Sequence, residues 1–381
     1  MNTAADAAEG FVPPPYPYDR LKGLAEIAGG HEGGMVDFSI GTPFDPPPQP
    51  VVAAMAQSGT ERTYPPSIGT PAFRTAAAGW LNRLVGDGVD GPVTADDVRA
   101  TIGSKEFVAG LPTWLKLRTP GRDTVLYPAI SYPSYEMGAT LAGCRAVPVP
   151  VDERWRIDLS AVDQADIDRA LCLWVNTPGN PAGGLDDLDA IARWGRENEV
   201  LVASDECYAA FTWDGPARSI VTSGLGGVLA VHSLSKRSNL AGARSGFYVG
   251  DPELVHYLGE VRKHAGFMQP GPVQAAAVAA FDDEAHVAAQ RDIYRRRLEL
   301  MVQVVAKLGV ETEMPGGGFY LWAPAPDGDA WAFAERLATE AGMLVSPGEF
   351  YGAAGSGHVR IALVQPDDRV ALAASRVGIS V

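Results

Sequence analysis

The sequence predicts an α/β fold, with a mainly parallel sheet covered by helices on both faces and a smaller α+β domain beside it. Three observations predict it. From about residue 95 the chain alternates short apolar stretches with helical ones, the pattern of successive βα units. Three of these apolar stretches in a row run into polar clusters that hold Asn176, Asp205 and Lys236. The separations are 29 and 31 positions, close to the ~30 residues of one βαβ repeat. Beyond about residue 252 the character changes to long helical segments and then a short mixed tail. A chain of 381 residues is also too long for one simple core, so two domains are expected.

Taken in order, Phe11–Arg20 is crowded with proline and aromatic residues, which suits an extended arm over residues 1–20 better than a helix. A helical segment follows near Leu21–Ala28. Val36–Ile40 reads as a short strand that breaks at Gly41-Thr42-Pro43, and Thr63–Pro71 is a second loop before a helical pattern at Phe73–Leu84. The strand candidates of the main sheet are Val98–Ile102, Thr124–Tyr127, Ala146–Val151, Ala170–Val175, Val200–Ala203 and Val228–Val231. Helical stretches such as Leu185–Glu197 separate them. Residues 272–307 are helix-rich, first alanine-laden and then heavily charged. The tail reads as βαβ-like, with a strand at Gly318–Trp322, a helix at Ala330–Ala341 and strands at Met343–Ser346 and Val359–Leu363. The expected organisation is an arm at 1–20, a large domain at 45–270, and a small domain built from 21–44 and 271–381.

Composition narrows the function classes. Hydrophobic content of 46% with 20% charged residues is ordinary for a globular protein. The net charge of −15 argues against nucleic acid or an anionic membrane as a partner. Local arginines would therefore have to capture an anionic substrate. Cys144, Cys172 and Cys207 are widely spaced and form neither a disulfide framework nor a metal pattern. Met1–Gly10 has no secretory pattern, and no apolar run approaches the ~20 residues of a membrane span. A soluble, cytoplasmic protein is expected.

The polar clusters carry the chemistry. Val228–Val231 runs into His232-Ser233-Leu234-Ser235-Lys236, with Arg244 eight residues further on. In open α/β sheets, ligands bind at this carboxyl edge. A lysine beside a cationic neighbour and partly desolvated is depressed in pKa and can attack a carbonyl carbon. The upstream clusters Asn176–Gly183 and Ser204–Tyr208 place Asn180, Asp205 and Tyr208 on the same edge. That set suits pyridoxal phosphate. Asp205 would pair with a protonated pyridine nitrogen, and Asn180 and Tyr208 would donate to the ring's phenolic oxygen. Lys236 would hold the aldehyde and later shuttle a proton. Ser233, Ser235 and Arg244 suit the phosphate. Gly103-Ser104-Lys105-Glu106 opens a helix and adds backbone N–H groups as an anion site. Lys105 is a rival lysine that lacks a supporting aspartate. Tyr132 is either a stacking partner for the ring or a core aromatic. Arg360, a charge inside the apolar run Val359–Leu363, is either a clamp for a substrate carboxylate or half of an internal salt bridge.

On these residues the chain resembles the fold-type I pyridoxal-phosphate aminotransferases over nearly its whole length. The resemblance is carried by Asn-x-Pro-x-Asn-Pro-x-Gly at 176–183, Asp-Glu-x-Tyr at 205–208 and Ser-x-Ser-Lys at 233–236 with Arg244. It implies a seven-stranded-type sheet, with Lys236 as the Schiff-base lysine, Asp205 as the pyridinium partner and Arg360 as the α-carboxylate clamp. It also implies that Gly41 lines the substrate pocket. Tyr64 would reach the phosphate of a neighbouring subunit's cofactor, which makes the unit a homodimer with shared sites.

A narrower resemblance, to actinobacterial N-succinyldiaminopimelate aminotransferases, rests on His232–Gly242, Gly103–Glu106, Asp205–Tyr208, Arg262–Phe267 and Asp282–Arg291. It implies transfer between N-succinyl-LL-2,6-diaminopimelate and 2-oxoglutarate in lysine and diaminopimelate biosynthesis. Ala243 stands where these relatives usually carry tyrosine, which leaves the acceptor open. The alternatives are an aminotransferase of different substrate (aspartate-, alanine- or specialised-pathway type) and a C–S lyase on the same scaffold, which would share Lys236, Asp205 and Arg360. A non-catalytic regulator would need a DNA-binding module for which the acidic chain has no room.

Overall fold

The computed structural model describes residues 11–380. The predicted arm therefore lies partly outside the described residues. From Phe11 to Tyr16 it is irregular and largely exposed, and Pro17–Leu21 makes a 3₁₀ turn into the helix Lys22–Gly29.

Among the described residues, twelve strands form three sheets. In chain order they are β1 (Val36–Asp37), β2 (Val98–Thr101), β3 (Thr124–Pro128), β4 (Arg145–Val149), β5 (Ala170–Asn176), β6 (Leu201–Asp205), β7 (Val228–Ser233), β8 (Gly246–Gly250), β9 (Tyr320–Pro324), β10 (Met343–Leu344), β11 (Ser346–Pro347) and β12 (His358–Ala362). The main sheet has seven strands in the order β2-β8-β7-β6-β5-β3-β4. Every residue of β5 and of β7 is buried, which explains why both read as continuous apolar runs and not as alternating ones. Successive side chains serve opposite faces. Leu173, Val175, Val202 and Ala230 join one core with Phe73, Trp80 and Phe281. Cys172, Trp174, Ala203 and Leu229 join the other with Phe107, Trp114 and Leu258. Truncating an aromatic such as Trp80 to alanine costs about 3–5 kcal/mol in such a core.

The sequence reading did not anticipate β8. It runs antiparallel to both its neighbours, β2 and β7. Its apolar core is only Phe247-Tyr248-Val249 between two glycines, too short to signal a strand by periodicity. The reversed direction matters for the site, because it brings the amino end of β8, and Arg244 just before it, to the edge where the parallel strands end.

A second body holds the remaining sheets. The segment β9-β12-β11 is antiparallel throughout, while β1 and β10 pair in parallel. The expected βαβ-like tail is present in split form: β9 and β11 run the same way, joined through helix Ala330–Ala341, and β12 lies antiparallel between them. Only the turns of 348–357 link β11 to β12, and a parallel pairing would need a crossover of a dozen or more residues. Helices Ala285–Lys307, Ala330–Ala341 and Asp367–Arg376 cover these sheets. Their core contains Phe38, Leu298, Met301, Leu321, Phe333, Leu337, Ile361 and Val370. No helix among the described residues is long and apolar enough to cross a membrane.

Candidate active site

Strand register assembles the site. Asn176 pairs with Asp205 and Asp205 with Val231 in one row, and Ser233 pairs with Gly246 and Gly246 with Thr101 in a second row two residues further along β7, so these residues gather at one edge of the sheet. Lys236 follows in the short turn Leu234–Arg237, whose start is capped by the Ser233 hydroxyl accepting from the Ser235 N–H at 3.1 Å. The Lys236 amine donates to the Gly41 carbonyl. Burial pulls its pKa down to about 8, helped by the nearby positive charges of Arg360 and Arg244. A useful fraction of the amine is therefore unprotonated near neutrality.

One end of this edge is built for an anion. The Ser233 and Ser235 hydroxyls lie 2.9 Å apart. Arg244 adopts a left-handed backbone (φ 56°) that is sparsely populated for a side chain of this size. Its Nη1 donates to the Ala241 carbonyl at 2.8 Å, and its guanidinium lies against Gly103, where any Cβ would collide with it. Gly103, with φ 72°, opens the 15-residue helix Ser104–Arg118, whose first N–H groups have no partner within the helix.

The other end presents a buried carboxylate. Asp205 accepts from the Tyr135 hydroxyl at 2.9 Å and from the Cys207 N–H at 3.2 Å, and makes no ion pair among the described residues. Burial pushes its carboxyl up, a cost that a cationic partner would relieve. Asn176 donates to the Asp205 carbonyl at 2.8 Å and accepts the Asn180 N–H at 2.7 Å, which fixes the loop that carries Asn180. The Tyr208 and Tyr320 hydroxyls are 2.8 Å apart.

Arg360 projects from the middle of β12 and is 2% exposed. It donates to Asn180 Oδ1 at 3.0 Å, to the Ser39 carbonyl at 2.5 Å and to the Tyr18 hydroxyl at 3.4 Å. The guanidinium lies 4.4 Å from the Tyr320 ring centroid and 4.6 Å from that of Tyr351. Its Nε has no hydrogen-bond partner among the described residues. No carboxylate pairs with it among the described residues, so the internal salt bridge left open by the sequence does not form there. A buried guanidinium in that condition is a receptor for an anion.

The structure thus brings together Lys236, Asp205, Tyr208, Asn180, Ser104, Ser233, Ser235, Arg244, Gly41 and Arg360. Lys105 and Tyr132 stand with each other, the lysine exposed and its amine 5.4 Å from the tyrosine ring centroid. Tyr64 is 93% exposed on its loop and makes no hydrogen bond through its hydroxyl among the described residues. Sequence reasoning missed Tyr135, Tyr320, Tyr351 and Tyr18. Tyr135 was one turn beyond Tyr132 in the same motif, so a choice by helical facing could have found it. The other three come from distant segments that carry no signal of their own.

A phosphorylated aromatic aldehyde with a basic ring nitrogen matches this edge. The Gly103 cradle under Arg244 suits the phosphate, the unpaired buried Asp205 suits the ring nitrogen, and the Lys236 amine suits the aldehyde carbon. Pyridoxal phosphate is that compound. The class I and II aminotransferase family matches residues 33–377, and the chain belongs to this family of pyridoxal-phosphate-dependent enzymes acting on amino and oxo acids. It is 41% identical over 376 residues to a probable aminotransferase of Mycobacterium tuberculosis, covering 96% of this chain and 85% of that one. Identity is 40% over 372 residues to the 4-dedimethylamino-4-oxo-anhydrotetracycline transaminase OxyQ of Streptomyces rimosus, covering 96% and 99%. Among solved structures, a probable N-succinyldiaminopimelate aminotransferase from Thermus thermophilus superposes with a TM-score of 0.85 at 31% identity, covering 95% of this chain and 99% of that one.

Proposed function

We propose that this aminotransferase moves an amino group between glutamate and the oxo carbon of an N-succinylated 2-amino-6-oxopimelate, with Lys236 as the reacting amine and Arg360 as the carboxylate receptor. The observation that carries the site assignment is a Lys236 amine drawn down to about 8 by burial and by the charge of Arg360, itself buried and without a carboxylate partner among the described residues. Bound pyridoxal phosphate supplies an electron sink for the pair left at the substrate carbon when its proton departs. Asp205 keeps the ring nitrogen protonated, and Asn180 and Tyr208 donate toward its phenolic oxygen. Ser104, Ser233, Ser235 and Arg244 hold the phosphate. Arg360 binds the donor's α-carboxylate and so orients the Cα–H bond toward Lys236. The Lys236 amine would take the proton from Cα and carry it through the 1,3-shift that amino transfer requires.

Support for the substrate comes from the motifs at 232–242 and 282–291 and from the likeness to the Thermus enzyme. A second reading, a specialised-pathway ketone as acceptor, is favoured by 40% identity to OxyQ along almost all of that protein. Steady-state kcat/KM with glutamate as donor separates them. N-succinyl-2-amino-6-oxopimelate outperforming simple 2-oxo acids supports the first reading, and preference for a polycyclic ketone supports the second.

The unit proposed is a homodimer with shared sites. Ile40, Phe44 and Tyr64 are large apolar side chains left exposed on loops beside Gly41 and Thr63, the kind of surface a second copy covers.

A further inference from the structure

We infer that Gln290, acting with Asp45 and Asn239, positions the Gly41 carbonyl over the Lys236 amine. The inference rests on Lys236 being the reacting amine. Lys236 and Gly41 are 195 residues apart, yet both are held by one helix, Ala285–Lys307. On the Gly41 side, Asp45 accepts from Gln290 Nε2 at 2.8 Å and from both terminal nitrogens of Arg297 at 2.7 and 2.9 Å. On the lysine side, Asn239 donates its amide to Gln290 Oε1 at 3.0 Å. Asn239 lies three residues after Lys236 with a left-handed backbone (φ 54°). Gln290 is 6% exposed and hydrogen-bonds both segments at 3.0 Å or less, whereas the direct contact between them, Asn239 to the Pro46 carbonyl, is longer at 3.5 Å. The ring Gly41–Asp45–Gln290–Asn239–Lys236–Gly41 closes on itself. Substituting Gln290 leaves Asp45 on Arg297 and only the longer Asn239–Pro46 contact between the segments, and so loosens the acceptor relative to the donor.

The Gly41 carbonyl favours the ammonium form of Lys236, because it accepts a hydrogen bond from it. The other groups that act on the amine are Arg360, Cys207, Arg244 and Asp205, and none touches Gln290. Loosening the ring should thus lower the pKa of Lys236 with its other neighbours in place. Once the amine is free during turnover, the same carbonyl aims it at the substrate Cα.

The test starts with cofactor-free protein. The rate of pyridoxal phosphate uptake is measured against pH, with borohydride trapping and peptide mapping to confirm Lys236 as the site. Gln290→Met, close in size, and Asn239→Gly, which retains the left-handed backbone, are compared with wild type, and melting curves establish folding. The expected result is a downward shift of the uptake midpoint by ~0.5 pH unit or more in both variants. In turnover, kcat falls ~10-fold with KM for glutamate within ~2-fold, and the isotope effect from α-deuterated glutamate rises. Folded variants with the wild-type midpoint and isotope effect would overturn the inference. Equal trapping in Lys236→Ala would instead overturn the assignment of Lys236 itself.

Discussion

Asn180 and Arg360, 180 residues apart in the chain, are joined by a 3.0 Å hydrogen bond from guanidinium to amide oxygen. Through it the loop after β5 in the main sheet meets the central residue of β12 in the smaller one. The bond uses the oxygen of Asn180 and leaves its amide N–H groups to point elsewhere. Ring binding and carboxylate binding therefore share one side chain, and changes at Arg360 should be felt through it.

Arg360→Lys should raise KM for amino and oxo substrates alike. A lysine cannot reproduce the planar fork, and a charged hydrogen bond is worth about 1.5–3 kcal/mol, so the rise is ~10–100-fold. Initial-rate kinetics on both half-reactions checks this. An unchanged KM would return Arg360 to a purely structural role.

Gly41→Ala should cost activity through Tyr320. The new methyl would meet the Tyr320 hydroxyl and ring edge, and that tyrosine bonds Tyr208 and stacks on Arg360. Forcing a packed ring aside costs about 1–3 kcal/mol. A kcat/KM at least ~10-fold lower with a melting temperature only slightly reduced is the expected outcome.

Asp186 should make stability depend on pH. Burial pushes its carboxyl from 3.8 up to about 6, against hydrogen bonds from the Ile157 N–H and the Thr177 hydroxyl. The folded state favours the protonated acid, so this contribution is fully present below the unfolded value and is lost as pH rises through about 6. Asp186→Asn should then raise thermal stability at pH 7 by about 1–3 kcal/mol and gain nothing below pH ~4. Equal gain at both pH values would contradict this.

If Tyr64 serves a neighbouring subunit, two damaged chains can complement each other. Lys236→Ala and Tyr64→Ala proteins, unfolded and refolded together, should recover about a quarter of wild-type activity, because random pairing leaves one intact site in half the dimers. Activity no higher than the mean of the separate parents would place the Tyr64 function within its own chain.

Much of this architecture was legible because the parallel strands are buried on both faces and their polar ends recur at the spacing of one βα unit. Asn180, Asp205 and Lys236 could be placed on one edge from that spacing alone. What escaped notice lacks periodicity. The strand β8 has three apolar residues between glycines. The helix Ala285–Lys307 read only as a heavily charged stretch, yet its Arg297 is 4% exposed and closes on Asp45 across 252 residues. The tyrosines around Arg360 come from the arm, β9 and the turn after β11, and no local pattern announces that they converge.

The most direct test of the central claim follows the visible absorption of the pyridoxal-phosphate-loaded protein. L-glutamate is added first and N-succinyl-2-amino-6-oxopimelate second. The account predicts loss of the long-wavelength band with glutamate and its return with the oxo acid, with neither change in Lys236→Ala. A band that glutamate leaves untouched, with ammonia or sulfide released from other amino acids, would contradict amino transfer and point to lyase chemistry on the same scaffold.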